Sequence, residues 1–327
     1  MATLTSTYSL VEQAKRIDPS GNQAQIVEVL NRKMGDILTE APWLPSNDVW
    51  TNKTTRRGTL PTGSRRKLNQ RISQSVSRTT EIMDVIEMLE DYCDVDAALV
   101  DSMPSPALFR SGEVDAFIEG LGQTIVADIL YANSFADPDA MHGLAARLAT
   151  VDARFVIDGG GTGSDLTSIY VVTWGQTTSH LIYPKNMAAN LGVTHTDKGQ
   201  VTSENADGLI EIYRDHFKIQ CGLVVRHPRA IGRVANIEQL SVGANTFDED
   251  DLITLLNNME TGPGTRIYLN ETLATQAQIR CKDKNNVYWV PGGNGDALSG
   301  EPILYFNKVP VRMLSREILK NTEDAIS

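Results

Sequence analysis

Apolar residues recur every three or four positions in several parts of the chain, and this spacing predicts amphipathic helices. The longest such segment covers about 107–132, where Phe117, Leu121, Ile125 and Ile129 fall on one stripe. A buried stripe of this length indicates a helix that packs along its whole length. Shorter helices are predicted at 9–17, 22–38, 96–101, 138–149, 247–259 and 271–279.

Other segments alternate apolar and polar residues or carry short apolar runs, as β-strands do. They lie at 79–95, 166–174, 180–183, 208–227, 266–269 and 303–313. The pattern predicts a hairpin over 166–183, two strands within 208–227, and a last strand region kinked by Pro310. Residues 185–207 are predicted to be a loop. Antiparallel pairing is favoured over β-α-β alternation, so the expected fold class is α+β.

Residues 49–80, called the basic segment below, follow neither pattern and contain few apolar residues. Their centre, residues 58–63 (GTLPTG), is a turn cluster between Thr/Arg-rich flanks, which is typical of a long β-hairpin. A disordered basic linker is the alternative. The segment holds eight bases and no acid: Lys53, Arg56, Arg57, Arg65, Arg66, Lys67, Arg71 and Arg78.

Residues 81–109, called the acidic segment, hold eight acids and no base. A basic hairpin that cannot build its own core needs a partner surface, and the acidic segment of another copy is the obvious candidate. This juxtaposition indicates self-assembly, although a hairpin folded back on its own chain would have the same sequence. The candidate acceptors are Glu81, Asp84, Glu87, Glu90, Asp91 and Asp94.

Composition adds that the rest of the chain is strongly acidic. The 327 residues carry 30 bases and 41 acids, so removing the eight bases of the basic segment leaves 22 against 41. Such a body argues against general wrapping of nucleic acid, because phosphates repel it. The chain lacks an apolar run of 18 residues, so neither a membrane span nor a membrane partner is expected. The three widely spaced cysteines are expected to be reduced thiols.

The search for catalytic chemistry returns no concentrated set of groups. The five histidines lack metal-ligand spacing, and no nucleophile motif surrounds a serine or cysteine. Residues 159–165 (GGGTGSD) match no phosphate-loop pattern and precede a strand rather than a helix. We therefore expect no enzyme, no cofactor and no metal site, with scattered catalytic residues as the alternative.

Several stretches resemble the major capsid proteins of tailed double-stranded DNA bacteriophages, in particular podovirus proteins of about this length. They include LPTGSRRKLNQ (60–70), AFIEGLGQTIVADILYANS (116–134) and DGGGTGSDLTSIYVVTWG (158–175). MLEDYCDVDAALVD (88–101), IYPKN (182–186) and YRDHFKIQCGLVVRHPRAIGRVANI (213–237) are similar as well. The resemblance implies the Hong Kong 97-type capsid fold.

That fold implies a division of the chain into an arm, a loop and two domains. The expected parts are an N-terminal helical arm (1–46), an extended β-hairpin loop (47–80), a peripheral domain with the long spine helix (81–240) and an axial domain (241–327). Residues 158–200 are expected to be an insertion, and the resemblance does not assign it to either domain. The segment 221–237 resembles a strand pair that commonly follows stretches like 265–279 and 303–313. Here it precedes them, which suggests a circularly permuted order. Such an order predicts that strands of 208–227 lie beside the spine helix.

The expected function is therefore structural: pentamers and hexamers of this chain form the icosahedral shell around the phage double-stranded DNA, without sequence-specific binding. The resemblance implies a portal protein, and possible scaffolding and cement proteins, as partners. The location would be the virion capsid, assembled in the host cytoplasm. The alternatives are an encapsulin-like protein-compartment shell and a nucleic-acid-binding module that uses the basic hairpin.

Overall fold

The computed structural model describes residues 36–190, 192–205, 208–240, 243–281, 289–291 and 304–327. They form two compact units. The small unit contains Met88–Ile125 and Gly192–Ile219, and the large unit contains the other described residues. The helices predicted at 9–17 and 22–38 lie outside the described residues, apart from the last three positions of the second.

The predicted spine helix is confirmed, and so is the short helix before it. Two helices begin with an aspartate whose side chain accepts a backbone N–H of the first turn, Asp96 from Ala98 and Asp248 from Asp250. The α-helices are α1 (Ile37–Glu40), α2 (Ala97–Ser102), α3 (Pro106–Tyr131), α4 (Leu144–Arg147), α5 (Glu249–Asn258) and α6 (Glu271–Cys281). Short 3₁₀ turns cover Lys185–Asn190 and Pro228–Ala230.

The strands fall into three sheets. The first seven are β1 (Trp43–Pro45), β2 (Thr51–Thr59), β3 (Arg78–Val85), β4 (Glu87–Asp96), β5 (Val156–Asp158), β6 (Leu166–Thr173) and β7 (Ser179–Tyr183). The others are β8 (Val193–Asn205), β9 (Gly208–Val225), β10 (Ile231–Glu238), β11 (Thr265–Asn270), β12 (Trp289–Pro291), β13 (Leu304–Phe306) and β14 (Val309–Leu314).

The core of the large unit is a seven-stranded sheet in the order β12-β13-β14-β11-β6-β10-β5. All eight residues of β6 are buried, and this strand pairs antiparallel with both β10 and β11. Helices α5 and α6 contribute Leu252, Leu255 and Leu273, which join Ile169 and Ile267 in one hydrophobic cluster. Each buried leucine stabilises the fold by about 1.5–3 kcal/mol. The sequence analysis places β10 in the predicted peripheral domain and β11 and β14 in the predicted axial domain, yet the three strands belong to one sheet. The division of the chain into these domains stays a prediction.

The second sheet has the order β1-β7-β9-β4, and β8 also pairs with β9. β9 is 18 residues long and contributes to both units. Its residues 208–219 pair with β8 in the small unit, whereas residues 222–225 pair with β7 in the large unit. The prediction of two strands here was wrong, because the strand continues without a turn.

The core of the small unit lies between α3 and the strands β4 and β9. Phe109 and Phe117 of α3 cluster with Cys93 and Val95 of β4 and with Phe217 of β9. The Phe117 and Phe217 rings stack with centroids 6.0 Å apart. β9 therefore lies beside the spine helix, as the permuted order requires, and the permutation itself stays a prediction.

The predicted hairpin over 166–183 was wrong, because β6 and β7 belong to different sheets. β6 pairs with β10 and β11, while β7 pairs with β1 and β9. Both strands are buried along their whole length, and their sequences have similar apolar patterns. Their proximity along the chain does not decide their partners.

The predicted loop at 185–207 was also wrong over most of its length, since β8 occupies Val193–Asn205. β8 is polar because it pairs only with β9 among the described strands, and many of its side chains face solvent. Its register shifts between Asp197 and Gln200, where Gly199 has a φ of 71°. A polar strand of this kind lacks the apolar alternation that marks half-buried strands.

Two further boundaries differ from expectation. The region 303–313 is a hairpin of β13 and β14 rather than one kinked strand, and its turn residues Asn307 and Lys308 both have positive φ. The helix predicted at 138–149 shortens to α4. The backbone before it packs closely on α3, since a Cβ on Gly143 would lie 2.7 Å from the Asp128 carbonyl oxygen.

The glycine-rich segment 159–165 packs against the C-terminal end of the chain. Gly161 N–H donates to the Asn236 carbonyl, and Ala325 N–H donates to that of Gly163. A Cβ on Gly161 would lie 2.5 Å from the Asn236 carbonyl oxygen, so only glycine allows this approach. These glycines therefore have a structural explanation.

A buried ion pair fixes the same C-terminal segment. Arg233 Nη2 donates to Glu323 Oε2 at 2.9 Å, and both side chains are buried. Ser168 and Tyr131 also donate through their hydroxyl groups to the Glu323 carboxylate. The carboxylate is thereby satisfied on both oxygens, which a buried charge requires.

Candidate functional site

The hairpin predicted in the basic segment is present over its paired part. β2 and β3 pair antiparallel from Thr51↔Val85 to Thr59↔Arg78, with one register shift near Thr59. Residues 60–77, called the tip loop, join them in an irregular conformation, and residues 60–76 are all exposed. The exposed side chains include Leu68, at 95%. The paired part of the hairpin is thus a two-stranded sheet, and residues 60–76 of its tip loop form no buried core.

Seven of the eight predicted basic residues point to solvent. Among the described residues, none of the seven makes an ion pair or a side-chain hydrogen bond. They are Lys53, Arg57, Arg65, Arg66, Lys67, Arg71 and Arg78. Arg56 differs, because its guanidinium donates to the carbonyls of Val225 and Arg226. Arg56 thus ties the hairpin to the end of β9 in its own chain.

The six predicted acidic acceptors divide into partnered and unpartnered groups. Four already have partners within the chain, namely Asp84, Glu87, Glu90 and Asp94. Glu81 and Asp91 are exposed and make no ion pair within the described ranges. The sequence could not show this division, because the partners come from distant segments.

An ordered ladder of charged and aromatic side chains covers the exposed face of β4 and β9 in the small unit. Arg214 donates to both oxygens of Asp94, at 2.6 and 2.7 Å, and its guanidinium lies over the Tyr92 ring. Tyr92 in turn stacks on His216 with centroids 4.4 Å apart. Glu90 accepts from His216 and, at 2.8 Å, from Lys218. Bidentate and stacked contacts of this kind hold a surface in one arrangement.

The base of the hairpin is held by charged side chains in the large unit. Arg147 of α4 donates to Asp84 Oδ1 at 2.7 Å and to the Leu223 carbonyl at 3.0 Å. Burial lowers the pKa of the nearby Arg56, and the Arg147 charge acts in the same direction, whereas Asp84 opposes it. Two guanidinium groups therefore face one carboxylate at this point.

A second carboxyl cluster lies where β3 meets β4. Burial raises the pKa of Glu87 to about 7, and the charges of Asp128 and Asp137 add to this effect. The Met141 N–H, which donates to Glu87 Oε2 at 2.8 Å, acts in the opposite direction. Burial raises the pKa of Asp128 as well, and the two carboxyl groups share a hydrogen bond. The pair thus holds a proton near neutral pH.

The remaining features concern metal ligands, membrane spans and thiols in the part of the chain that the structure describes. Within the described ranges, no three His, Cys, Asp or Glu side chains come together as metal ligands would. The described helices include none that is long and apolar enough to cross a membrane. Burial raises the pKa of the Cys93 thiol to about 12, which leaves it unreactive.

Comparison with known proteins then decides the family. The family described as Major capsid protein GP7 matches residues 18–327. The chain belongs to this family of major capsid proteins. The capsid protein is also similar to a chain in the cryo-EM structure of bacteriophage epsilon15, with 30% identity and a TM-score of 0.72. That match covers 100% of this chain and 99% of the other.

Two weaker likenesses to solved structures are found as well. The bacteriophage JBD30 capsid has 13% identity and a TM-score of 0.48, covering 97% of this chain and 100% of that one. The SrpI encapsulin of Synechococcus elongatus has 8% identity and a TM-score of 0.46, covering 71% and 96%. Neither score carries a functional argument. None of the curated proteins compared with the capsid protein matches it.

The family and the epsilon15 match confirm the resemblance drawn from the sequence. The capsid protein has the Hong Kong 97-type fold and is a structural protein of an icosahedral phage shell. It self-assembles, and its location is the virion capsid. The encapsulin-like alternative is not better supported, because the family model and the epsilon15 match both concern phage capsids.

Proposed function

We propose that the basic segment of one copy docks onto the surface of a neighbouring copy that carries the acidic segment. The observation that supports this is the set of seven basic side chains that have no ion-pair partner among the described residues, carried on an exposed hairpin. Each exposed ion pair contributes only about 0–1 kcal/mol. Because the contacts are repeated around each pentamer and hexamer, their weak energies add up, and their charge pattern sets the register between neighbouring copies.

Fewer of the predicted acidic acceptors are available to a neighbouring copy than the sequence suggested. Glu81 and Asp91 are the acceptors with free capacity, since both are exposed and lack an ion-pair partner among the described residues. Glu90 and Asp94 take part through the ladder on β4 and β9, where Tyr92 remains 49% exposed. Asp84 and Glu87 are buried at the hairpin base, so neither is available for an ion pair on the exposed surface.

The wider role follows from the same charge distribution. The shell encloses double-stranded DNA without sequence-specific contacts, and the net charge of −11 disfavours adhesion of the packaged phosphates. Assembly takes place in the host cytoplasm, with a portal protein at one vertex and with scaffolding and cement proteins as further partners. The protein has no enzymatic role in this scheme.

A charge reversal tests the docking. The triple variant Arg65→Glu, Arg66→Glu and Lys67→Glu should remain folded by circular dichroism, because these side chains are exposed and make no ion pair within the described part of the chain. It should fail to form shells by negative-stain electron microscopy. The matched control keeps the charges, as Arg65→Lys, Arg66→Lys and Lys67→Arg, and should assemble. Normal shells from the reversed variant would sink the proposal.

The nucleic-acid-binding alternative uses the same exposed bases and is separated by a different measurement. It requires the unassembled protein to shift double-stranded DNA in a gel, with an affinity that falls steeply as salt rises. The docking proposal expects no such shift by the acidic subunit.

A further inference from the structure

A cavity of about 770 Å³ lies in the large unit at the base of the hairpin. Its lining includes Arg56 and Asp84 from the hairpin, Phe135 and Arg147 from the segment after α3, and Ile231 at the start of β10. Phe135 is 88% exposed although it is a large aromatic residue. The cavity lining thus contains both charged side chains and an exposed apolar side chain, that of Phe135.

Asp84 supplies the observation that points to a ligand. The residue is only 2% exposed, and Arg147 occupies its Oδ1. Its Oδ2 is buried and has no hydrogen-bond partner among the residues that the structure describes. A buried carboxylate oxygen without a donor is strongly unfavourable, so a group that brings a donor to Oδ2 would be bound favourably.

The charges around Asp84 select the kind of donor. Arg147 already forms an ion pair with this carboxylate, and the Arg56 guanidinium lies on the same cavity lining. A third cation would be repelled there, whereas a neutral amide N–H would not. The exposed acid Asp152 lies farther along the lining and can receive a base. The cavity therefore suits a segment with an apolar side chain, a neutral amide and a flanking basic residue.

One part of the tip loop has this combination. Residues 67–70 form a turn in which Gln70 N–H donates to the Lys67 carbonyl at 3.2 Å, and Asn69 has a φ of 64°. The turn places Leu68 and Asn69 at its corner, between basic neighbours on both sides. Since Leu68 is 95% exposed, it does not fill the cavity of its own chain.

We propose that the turn at residues 67–70 of one copy inserts into the hairpin-base cavity of a second copy. Leu68 packs beside Phe135, the Asn69 side-chain amide donates to Asp84 Oδ2, and Lys67 lies near Asp152. Tip and base are different surfaces, so the contact is heterologous, which is the type of contact that forms rings when the rotation between copies closes. This inference rests on the docking proposed above and specifies where the tip is anchored.

A disulfide test addresses the contact directly. The double variant Leu68→Cys and Phe135→Cys is assembled into shells, oxidised and run on a non-reducing gel. The expected result is a ladder of linked copies. The matched control is Leu60→Cys with Phe135→Cys, because Leu60 is also exposed, at 72%, and lies on the same loop outside the turn. Single-cysteine variants account for the native thiols.

Each outcome decides a separate point. A ladder from the first variant alone supports the inference. A disulfide within one chain, no disulfide in intact shells, or equal ladders from both variants would overturn the inference and leave the docking proposal standing. Failure of the unaltered protein to form shells would instead overturn the docking proposal itself.

A second measurement covers the case in which the cysteine variants do not assemble. Leu68→Ser should raise the protein concentration needed for assembly by about tenfold or more, since it removes one buried leucine from each contact. Leu60→Ser should leave that concentration unchanged. Equal behaviour of the two variants would refute the anchor, and both should keep the monomer's melting temperature because neither side chain is buried.

Discussion

Arg147 donates to Asp84 at 2.7 Å and thereby fastens the base of the hairpin to α4. Arg147→Met should destabilise the protein by about 3–5 kcal/mol, because it leaves the buried Asp84 carboxylate without its direct ion-pair partner. Hydrogen exchange of the β2 and β3 amides should accelerate more than that of β6. Arg154→Met is the control at an exposed arginine seven residues away, and an equal loss of stability there would contradict the assignment.

The Glu87–Asp128 pair predicts a pH dependence of stability. The pKa of Glu87 is raised in the folded state to about 7 from 4.5. The folded state therefore holds this proton more tightly than the unfolded state does. The stabilisation is complete below about pH 4.5 and is lost as the pH rises through about 7.

The measurement is the free energy of unfolding of the unassembled protein between pH 5 and 8. Glu87→Gln, which cannot ionise, should show a flatter profile than the unaltered protein, whereas Glu81→Gln on the exposed face should keep the original slope. Parallel profiles for all three proteins would show that Glu87 does not titrate in this range.

The buried pair of Arg233 and Glu323 predicts strong coupling of the C-terminal segment to the seven-stranded sheet. Arg233→Met should lower the free energy of unfolding by about 3–5 kcal/mol in urea titration. The control is Arg316→Met, whose exposed pair with Glu271 at 3.3 Å contributes about 0–1 kcal/mol. Similar losses from both variants would refute the special role of burial.

Two glycines predict opposite effects of the same substitution. Gly120 lies on α3 with open space where the methyl group of an alanine would point, so Gly120→Ala should stabilise the monomer by about 0.5–1 kcal/mol. Gly161→Ala should destabilise it, because the new Cβ would collide with the Asn236 carbonyl. Thermal melts of both variants provide the check, and melting temperatures that move in the same direction would contradict it.

The spine helix shows what the sequence could predict well. Its apolar stripe is long, and α3 extends from Pro106 to Tyr131, close to the expected 107–132. The stripe does not explain the glycines of this helix. Nothing in the described chain lies within 4 Å of a Cβ at Gly112 or Gly120.

The strand partners show what the sequence could not predict. The apolar patterns of β6 and β7 are alike, yet long-range pairing places them in different sheets. In the same way, charge alone did not reveal that Asp84, Glu90 and Asp94 have partners from residues 147–218. Such partners depend on contacts between distant segments, which local periodicity does not encode.

The tip loop is both the most exposed part of the described chain and one of the richest in arginine and lysine. Trypsin cleaves after these residues in accessible, irregular backbone, so a free subunit offers it a short series of sites at residues 65–71. A copy whose tip is covered by a neighbour would be protected there. Brief digestion of a mixed preparation would therefore report the fraction of copies not yet incorporated into shells.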